Sequence, residues 1–322
     1  MIISNRKHVF ALCQSARLLG VVALLCSGVA WPSVAAAQRG EGPLVLRAPV
    51  SARTLAMGNA NLAINDADAL FANPGMLVNA RGLSVSMQRY GSAATAGSAA
   101  TVTTVGSMTV GVGIQLLEWR APSFGYDEAL RQGTPRLSDG GVVDAASQAA
   151  TIGVGRIIKG MRFGASVKYV QDRVGGFNDR TAAFDLGFAM PFGPGSLAIT
   201  AQNLGSGPRI VDYETVLPRR FGVGFGGGMF PVGEYFDIGA QTQLIVEADG
   251  FVRPAGGVEL GYIPIEGVAI VFRQGLRLPR EPDEPLVTAG LGVTVDRISL
   301  DYAMEPMRGG RPVSHRIGFR LK

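Results

Sequence analysis

Apolar and polar residues alternate along most of the chain after Arg81, and this period-2 pattern constrains the fold more than any other feature. In Arg162–Asp172 the apolar side chains fall on one face of an extended chain and the polar ones on the other. The alternation recurs in Tyr235–Glu247, Val252–Tyr262 and Arg297–Glu305. Because successive side chains of a strand point to opposite faces, these segments are predicted to be strands with one apolar face.

The lengths of these segments and of their connections separate a membrane barrel from a soluble sandwich, which alternation alone does not. Many run about 9–12 residues, whereas soluble strands average about 5–6 and membrane strands need about 9–11. Connections after even-numbered segments are short and those after odd-numbered ones are mostly longer, with Ala248-Asp249-Gly250 as an exception. Outer-membrane barrels sort their turns and loops in this way. The predicted strands are 81–91, 97–105, 107–119, 147–157, 161–172, 180–190, 195–204, 219–230, 235–247, 251–262, 265–275, 286–295, 297–305 and 312–321.

The composition agrees with an all-β fold, a transmembrane antiparallel β-barrel of about 14 strands. Charged residues make up only 17% of the chain, mean hydropathy is +0.23, and 45 residues are glycine, which is costly inside helices. Beyond the first 37 residues, no run of about 18 apolar residues indicates a membrane helix.

The first 37 residues have the features of a secretory signal peptide. Arg6, Lys7 and Arg17 precede and flank an apolar stretch, Leu18–Ala30, and Ala35-Ala36-Ala37 provides a small-residue cleavage site. A short membrane anchor is the alternative. We predict cleavage near Ala37, a plug or hatch segment at 38–80 with short helical turns, and an outer-membrane barrel at 81–322.

Few residues of the predicted mature chain suit catalysis or metal binding. Cys13 and Cys26 both lie in the leader, and His315 is the only histidine after it. A multi-histidine or cysteine metal site is therefore excluded, and a Ser-His-acid triad would need His315. The net charge of +5 falls to +2 without the leader, which gives no support for nucleic-acid binding. The sequence predicts no enzyme and no metal or other cofactor.

The stretch that precedes the barrel carries a distinct motif. Ala60–Ala72 is rich in Ala, Leu and Asp, which predicts helical turns, and Asn73-Pro74-Gly75 ends them. Asp66, Asp68 and Asn73 either latch this segment to the wall, through charges such as Arg273 or Arg316, or only cap local turns.

These segments resemble the PorV/PorQ group of outer-membrane proteins, related to the FadL-type fatty-acid transporters. The most specific match is Met57-Gly58-Asn59-Ala60 through Asp66-Ala67 to Asn73-Pro74-Gly75. Gln202-Asn203-Leu204-Gly205, then Leu217-Pro218, give a second match. The chain ends in Lys322, where such barrels commonly end in an aromatic residue. The resemblance implies a 14-stranded barrel with a plug in its lumen, and a plug motif of Gly58, Ala60, Asp66, Asn73, Pro74 and Gly75.

Charged residues within the predicted strands are expected to face the lumen, because Arg or Lys on the lipid face costs about 2–4 kcal/mol at the midplane. Such charges either pair with one another to hold the barrel and plug together or line a polar path. The candidates are Arg162, Lys168, Asp237, Glu259, Arg273, Asp301 and Arg316.

Two functions remain open on the sequence. Resemblance to FadL-type proteins implies transport of hydrophobic or small molecules across the outer membrane, with a hydrophobic ligand as partner. Resemblance to PorV implies a part in type IX secretion, with secreted cargo proteins bound at the cell surface, for which the loop 120–146 is the first place for contacts. In both cases outer-membrane lipid surrounds the barrel.

Overall fold

The computed structural model describes residues 42–78, 80–91, 94–124, 137–174, 177–210 and 213–322. The predicted signal peptide and its cleavage site lie outside these residues, as does much of the predicted loop 120–146. Among the described residues, no helix has the length and apolar character needed to cross a bilayer.

Fourteen antiparallel strands form a closed barrel, which confirms the predicted fold. Neighbours in sequence are neighbours in the wall, and the barrel closes where the first strand, Gly82–Tyr90, pairs with the last, Ser314–Leu321. The wall strands are β1 (Gly82–Tyr90), β2 (Ala94–Val105), β3 (Met108–Phe124), β4 (Leu137–Ile158), β5 (Met161–Val174), β6 (Phe177–Phe192), β7 (Gly195–Leu204), β10 (Arg220–Gly226), β12 (Phe236–Glu247), β13 (Val252–Ile265), β14 (Val268–Arg277), β15 (Val287–Val295), β16 (Ile298–Glu305) and β17 (Ser314–Leu321).

Three short strands complete the sheet structure. β8 (Arg209–Ile210) and β9 (Tyr213–Glu214) form a small hairpin in the connection between β7 and β10. β11 (Phe230–Val232) pairs with β12 beyond the end of β10, so it continues the same position in the wall. Closure leaves the barrel without a long unpaired edge.

The alternation in the sequence becomes a polar inside and an apolar outside. On β1, Ser84, Ser86 and Gln88 are buried, while Val85 and Met87 are 42% and 62% exposed. On β5 the outward side chains are apolar from Met161 to Tyr169, which is roughly 26 Å along the strand. This length suits the apolar band of about 25 Å on outer-membrane barrels.

Strands β3 to β6 extend further than the sequence pattern predicts at the end opposite the short turns. β4 has 22 residues, and polar side chains such as Gln148, Gln171 and Asn178 lie on the outer face beyond the apolar band. Gln171 bonds across the outer face to Gln148 at 3.0 Å and to Asn178 at 2.8 Å. The pairing of these strands therefore continues past the apolar band.

The N-terminal segment fills the lumen and is almost entirely buried. It contains two short helices, α1 (Ala52–Ala56) and α2 (Ala69–Ala72), and one-turn 3-10 helices at Leu44–Leu46 and Pro74–Leu77. Ser51 caps α1 by accepting a hydrogen bond from the Thr54 amide at 3.2 Å. We call residues 42–78 and Ala80 the plug.

Glycines of the wall form the seat of the second 3-10 helix. A Cβ built on Gly164 would lie 2.2 Å from the Pro74 carbonyl oxygen and 2.5 Å from the Gly75 nitrogen. A Cβ on Gly187 would lie 2.4 Å from that nitrogen. Glycine at these positions lets the plug backbone lie directly on the wall backbone.

Gly164→Ala is therefore expected to lower the free energy of unfolding by about 1–3 kcal/mol, because backbone atoms cannot move aside as a flexible side chain would. Urea unfolding followed by the fluorescence of Trp119 measures this change. Gly97→Ala is the matched control, since its Cβ would meet only the Ser86 carbonyl at an ordinary 3.7 Å. Equal stability of the two variants would show that the plug does not rest on Gly164.

Candidate functional site: the plug and its contacts with the barrel wall

The residues of the predicted plug motif lie buried at bends of the plug. Gly58 has a positive φ of 68°, and its amide donates to Thr288 Oγ1 of the wall at 3.1 Å. Asn73 Oδ1 accepts from the Gly75 amide at 3.0 Å, and Asn73 Nδ2 donates to the Leu62 carbonyl at 3.0 Å. Ala60 and Pro74 are buried beside them. Asn73 thus caps a local turn, one of the two roles considered from the sequence.

Six charged side chains of the plug and wall form a closed ring of alternating sign, which we call the charge ring. Two come from the plug and four from β13, β14, β16 and β17. On the plug side, Arg53 Nη2 lies 2.5 Å from Glu259 Oε1, and Arg53 Nη1 lies 3.2 Å from Asp66 Oδ2. In order around the ring, the members are Arg53, Glu259, Arg273, Asp301, Arg320 and Asp66.

The wall side completes the ring. Arg273 contacts Glu259 at 2.8 Å and Asp301 at 2.7 Å. Arg320 contacts Asp301 at 2.7 Å and returns to Asp66 at 3.6 Å. Three cations and three anions cancel, so each buried charge has a partner of opposite sign on both sides. Buried ion pairs of this kind are costly to break, because removing one member leaves its partner uncompensated.

Asp66 is joined to the wall by a different residue from those expected. Charges such as Arg273 or Arg316 were expected as its partner, but Asp66 pairs with Arg53 of the plug and Arg320 of β17. Arg273 is held by two wall carboxylates instead. Asp68, two residues on, lies beside Asp66; burial, with the neighbouring Asp66 carboxylate, raises the pKa of Asp68 to about 7.

Arg316 makes a second set of plug contacts. Its side chain is fully buried and donates to Ser86 Oγ at 2.7 Å and Gln88 Oε1 at 3.0 Å. Its Nη2 also donates to the Val50 carbonyl of the plug at 3.0 Å and to Ser98 Oγ at 3.0 Å. Arg316 therefore holds the plug through neutral acceptors.

The other candidate charges lie apart from the charge ring. Lys168 Nζ contacts Asp185 at 2.7 Å and Asn203 Oδ1 at 2.9 Å, in a buried cluster on β5, β6 and β7.

Arg162, half-buried near the short turns, donates to Ser196 Oγ at 3.1 Å. Asp237 is half-buried on β12, and its side chain bonds to none of the described residues. A lumen-lining role for the seven charges remains a prediction.

Gln243 of β12 binds the plug backbone three times. Its Oε1 accepts from the amides of Asn61 and Leu62 at 2.9 and 3.2 Å, and its Nε2 donates to the Asn59 carbonyl at 2.8 Å. These bonds satisfy backbone groups that the irregular plug leaves without internal partners.

Gln243→Ala is expected to cost about 1–3 kcal/mol of unfolding free energy, since it leaves buried backbone groups of the plug unsatisfied. Hydrogen exchange of the Asn61 and Leu62 amides is expected to speed up in the same variant. Gln148→Ala, on the outer face of β4, serves as the control. The interpretation fails if both variants exchange at the wild-type rate.

The fold matches solved structures of three bacterial proteins, two of which are described as toluene transporters. The toluene transporter TbuX of Ralstonia pickettii is 14% identical, with 84% of this chain and 98% of TbuX covered and a TM-score of 0.57. The toluene transporter TodX of Pseudomonas putida is 12% identical, with coverages of 88% and 98% and a TM-score of 0.53. A FadL homologue of Pseudomonas aeruginosa is 9% identical, with coverages of 88% and 98% and a TM-score of 0.53.

The chain has a FadL-like barrel fold. Identities this low establish the architecture and leave membership in the PorV/PorQ group as a prediction. No family model matches the chain, and no curated protein matches it.

Two members of the charge ring, Arg320 and Arg53, were not predicted from the sequence. Arg320 stands on the polar face of the last strand, so alternation alone would have placed it inward. Arg53 lies in α1, a five-residue helix without a periodic pattern, and no local signal marks it. Its principal partner, Glu259, is 206 residues away along the chain.

Proposed function

We propose that this chain is an outer-membrane protein that lets hydrophobic or other small molecules cross the outer membrane, with its plug as the gate. The charge ring is the observation that carries the proposal. It joins plug to wall through ion pairs, in addition to apolar contacts such as those between Leu70 and Leu77 of the plug and Val102 of the wall. The described transport functions of TbuX and TodX support the same role.

The orientation follows from the connections. The short turns, such as Ile158 to Met161 and Val295 to Ile298, lie at the same end of the barrel as the start of β1 and the end of β17. Short turns face the periplasm in barrels of this class and longer loops face outward. We therefore place the turn end in the periplasm, after cleavage of the leader near Ala37.

Uptake of labelled toluene tests the proposal, with a long-chain fatty acid as a second apolar probe and a disaccharide as the polar comparison. Cells that carry the protein in their outer membrane are expected to accumulate at least one apolar probe faster than matched cells without it. Equal accumulation of every probe in the two strains would contradict the proposal.

The alternative, a PorV-like role in type IX secretion, rests on the resemblance of motifs. None of the three similar structures is described as a secretion component. A detergent pull-down from the native outer membrane distinguishes the two roles. Recovery of several secreted proteins that share one C-terminal domain would favour secretion, and recovery of an apolar ligand alone would favour transport.

A further inference from the structure

A polar cavity lies between the plug and the turn end of the barrel. Its volume is about 580 Å³, within the range of about 300–1,000 Å³ that is usual for small-ligand sites. The cavity lies at the short turns, because its lining includes Gly195, Ser299 and Lys322. The plug side of the lining is formed by Arg53, Ile64 and Met76.

Positive charge dominates the lining of this cavity. Three of its arginines, Arg53, Arg273 and Arg320, belong to the charge ring, which is neutral as a whole. Lys322 also lies in the lining. Arg162 adds a positive charge that no lining carboxylate balances, because Glu259, the one acidic residue in the lining, pairs with Arg53 and Arg273.

Arg162 is fixed in place but keeps its charge uncompensated. Its Nη1 lies 3.1 Å from Ser196 Oγ and 3.7 Å from Met76 Sδ, and both of these atoms are neutral. No carboxylate among the described residues pairs with it. Asp237, the inward carboxylate without a partner, does not line the cavity. A half-buried cation without a counter-ion is unfavourable, so an anion in the cavity would be bound favourably.

Two arginines of the charge ring also have N–H donors that bond to no acceptor among the described residues. Arg273 uses Nε and Nη1 toward its carboxylates, and Arg320 uses the same two atoms. The Nη2 group of each bonds to no described residue and is not enclosed. Guanidinium groups match the oxygen spacing of phosphate and bind it with charge-assisted hydrogen bonds.

We propose that this cavity binds a small oxyanion, the phosphate group of a phosphorylated solute, between Arg162 and the turn-side face of the charge ring. The cavity shares Arg53, Arg273 and Arg320 with the charge ring, but anion binding by the purified protein is measured without transport, so the two proposals can fail separately.

Isothermal titration calorimetry of the purified full-length protein in a neutral detergent tests the site, with inorganic pyrophosphate as the probe at low ionic strength. Saturable binding is expected, and Arg162→Gln is expected to weaken it at least fivefold. Arg156→Gln is the matched control: it removes the same charge at the same end of the barrel, but Arg156 is exposed on the outer face. This control is expected to change the affinity less than twofold.

Absence of saturable binding, or equal weakening by Arg162→Gln and Arg156→Gln, would overturn the proposal. Circular dichroism checks that each variant is folded. If Arg162→Gln does not fold, Arg162→Lys and Ser299→Asp replace it. Arg162→Lys keeps the positive charge and is expected to retain the affinity for pyrophosphate within about threefold. Ser299→Asp adds a negative charge to the lining and is expected to abolish binding. Retained binding in Ser299→Asp would contradict the site.

Discussion

Arg53→Met is expected to release the plug from the wall and to raise the conductance of the protein in a planar lipid bilayer at least tenfold. Arg53 makes both ion pairs through which α1 joins the charge ring, at 2.5 Å to Glu259 and 3.2 Å to Asp66. Methionine keeps much of the apolar stem but removes every donor. Because breaking a buried pair costs about 3–5 kcal/mol, the free energy of unfolding is expected to fall by a similar amount.

The control for this variant is Arg156→Met, which makes the same substitution on the outer face of β4. It removes no contact with the plug, so its conductance is expected to stay at the wild-type level. A wild-type conductance in Arg53→Met, together with unchanged hydrogen exchange of α1, would show that the charge ring does not hold the plug.

The barrel could be predicted from the sequence because its main determinant is local. Each wall strand must place apolar side chains toward lipid and polar ones toward the lumen. Apolar and polar residues therefore alternate along the sequence of every strand. Val85 and Met87 beside Ser84 and Ser86 show the pattern within five residues. Closure then follows, because a membrane strand cannot leave its backbone groups unpaired at an edge.

The extensions of β3 to β6 could not be found in the same way. Beyond the apolar band the outward side chains are polar or small, so the alternation of apolar and polar residues that marks a strand in the sequence is lost. Asn178 lies outside the predicted strands, yet it pairs with Arg173 of β5 and its side chain bonds to Gln171. Cross-strand pairing, rather than amphipathic pattern, extends the sheet here.

The candidate site was predicted only in part, because its contacts are set by the path of the plug. Alternation placed Glu259, Arg273 and Asp301 on polar strand faces, and the structure joins all three in the charge ring. Which charge meets which depends on the register of four strands and on where α1 lies in the lumen. Neither leaves a local signal, so the role of Arg53 appeared only in the structure.

A disulfide between plug and wall is expected to block transport by fixing α1 to β17. An ideal Cβ on Gly318 would lie 3.3 Å from the Cβ of Ala52, close to the 3.5–4.5 Å that is usual across a disulfide. Ala52→Cys with Gly318→Cys is therefore expected to oxidise with little backbone movement. Cys13 and Cys26 lie in the predicted leader, so the introduced pair would be the only thiols of the exported chain.

Uptake of an apolar probe that the wild-type protein transports, by cells carrying this double variant and measured before and after reduction, is the most direct test of gating by the plug. The single variants serve as controls, and mass spectrometry verifies that the disulfide has formed. We expect uptake through the oxidised protein to be at least tenfold slower than through either single variant, and to recover on reduction. Uptake through the oxidised protein at the rate of the single variants would contradict gating by the plug.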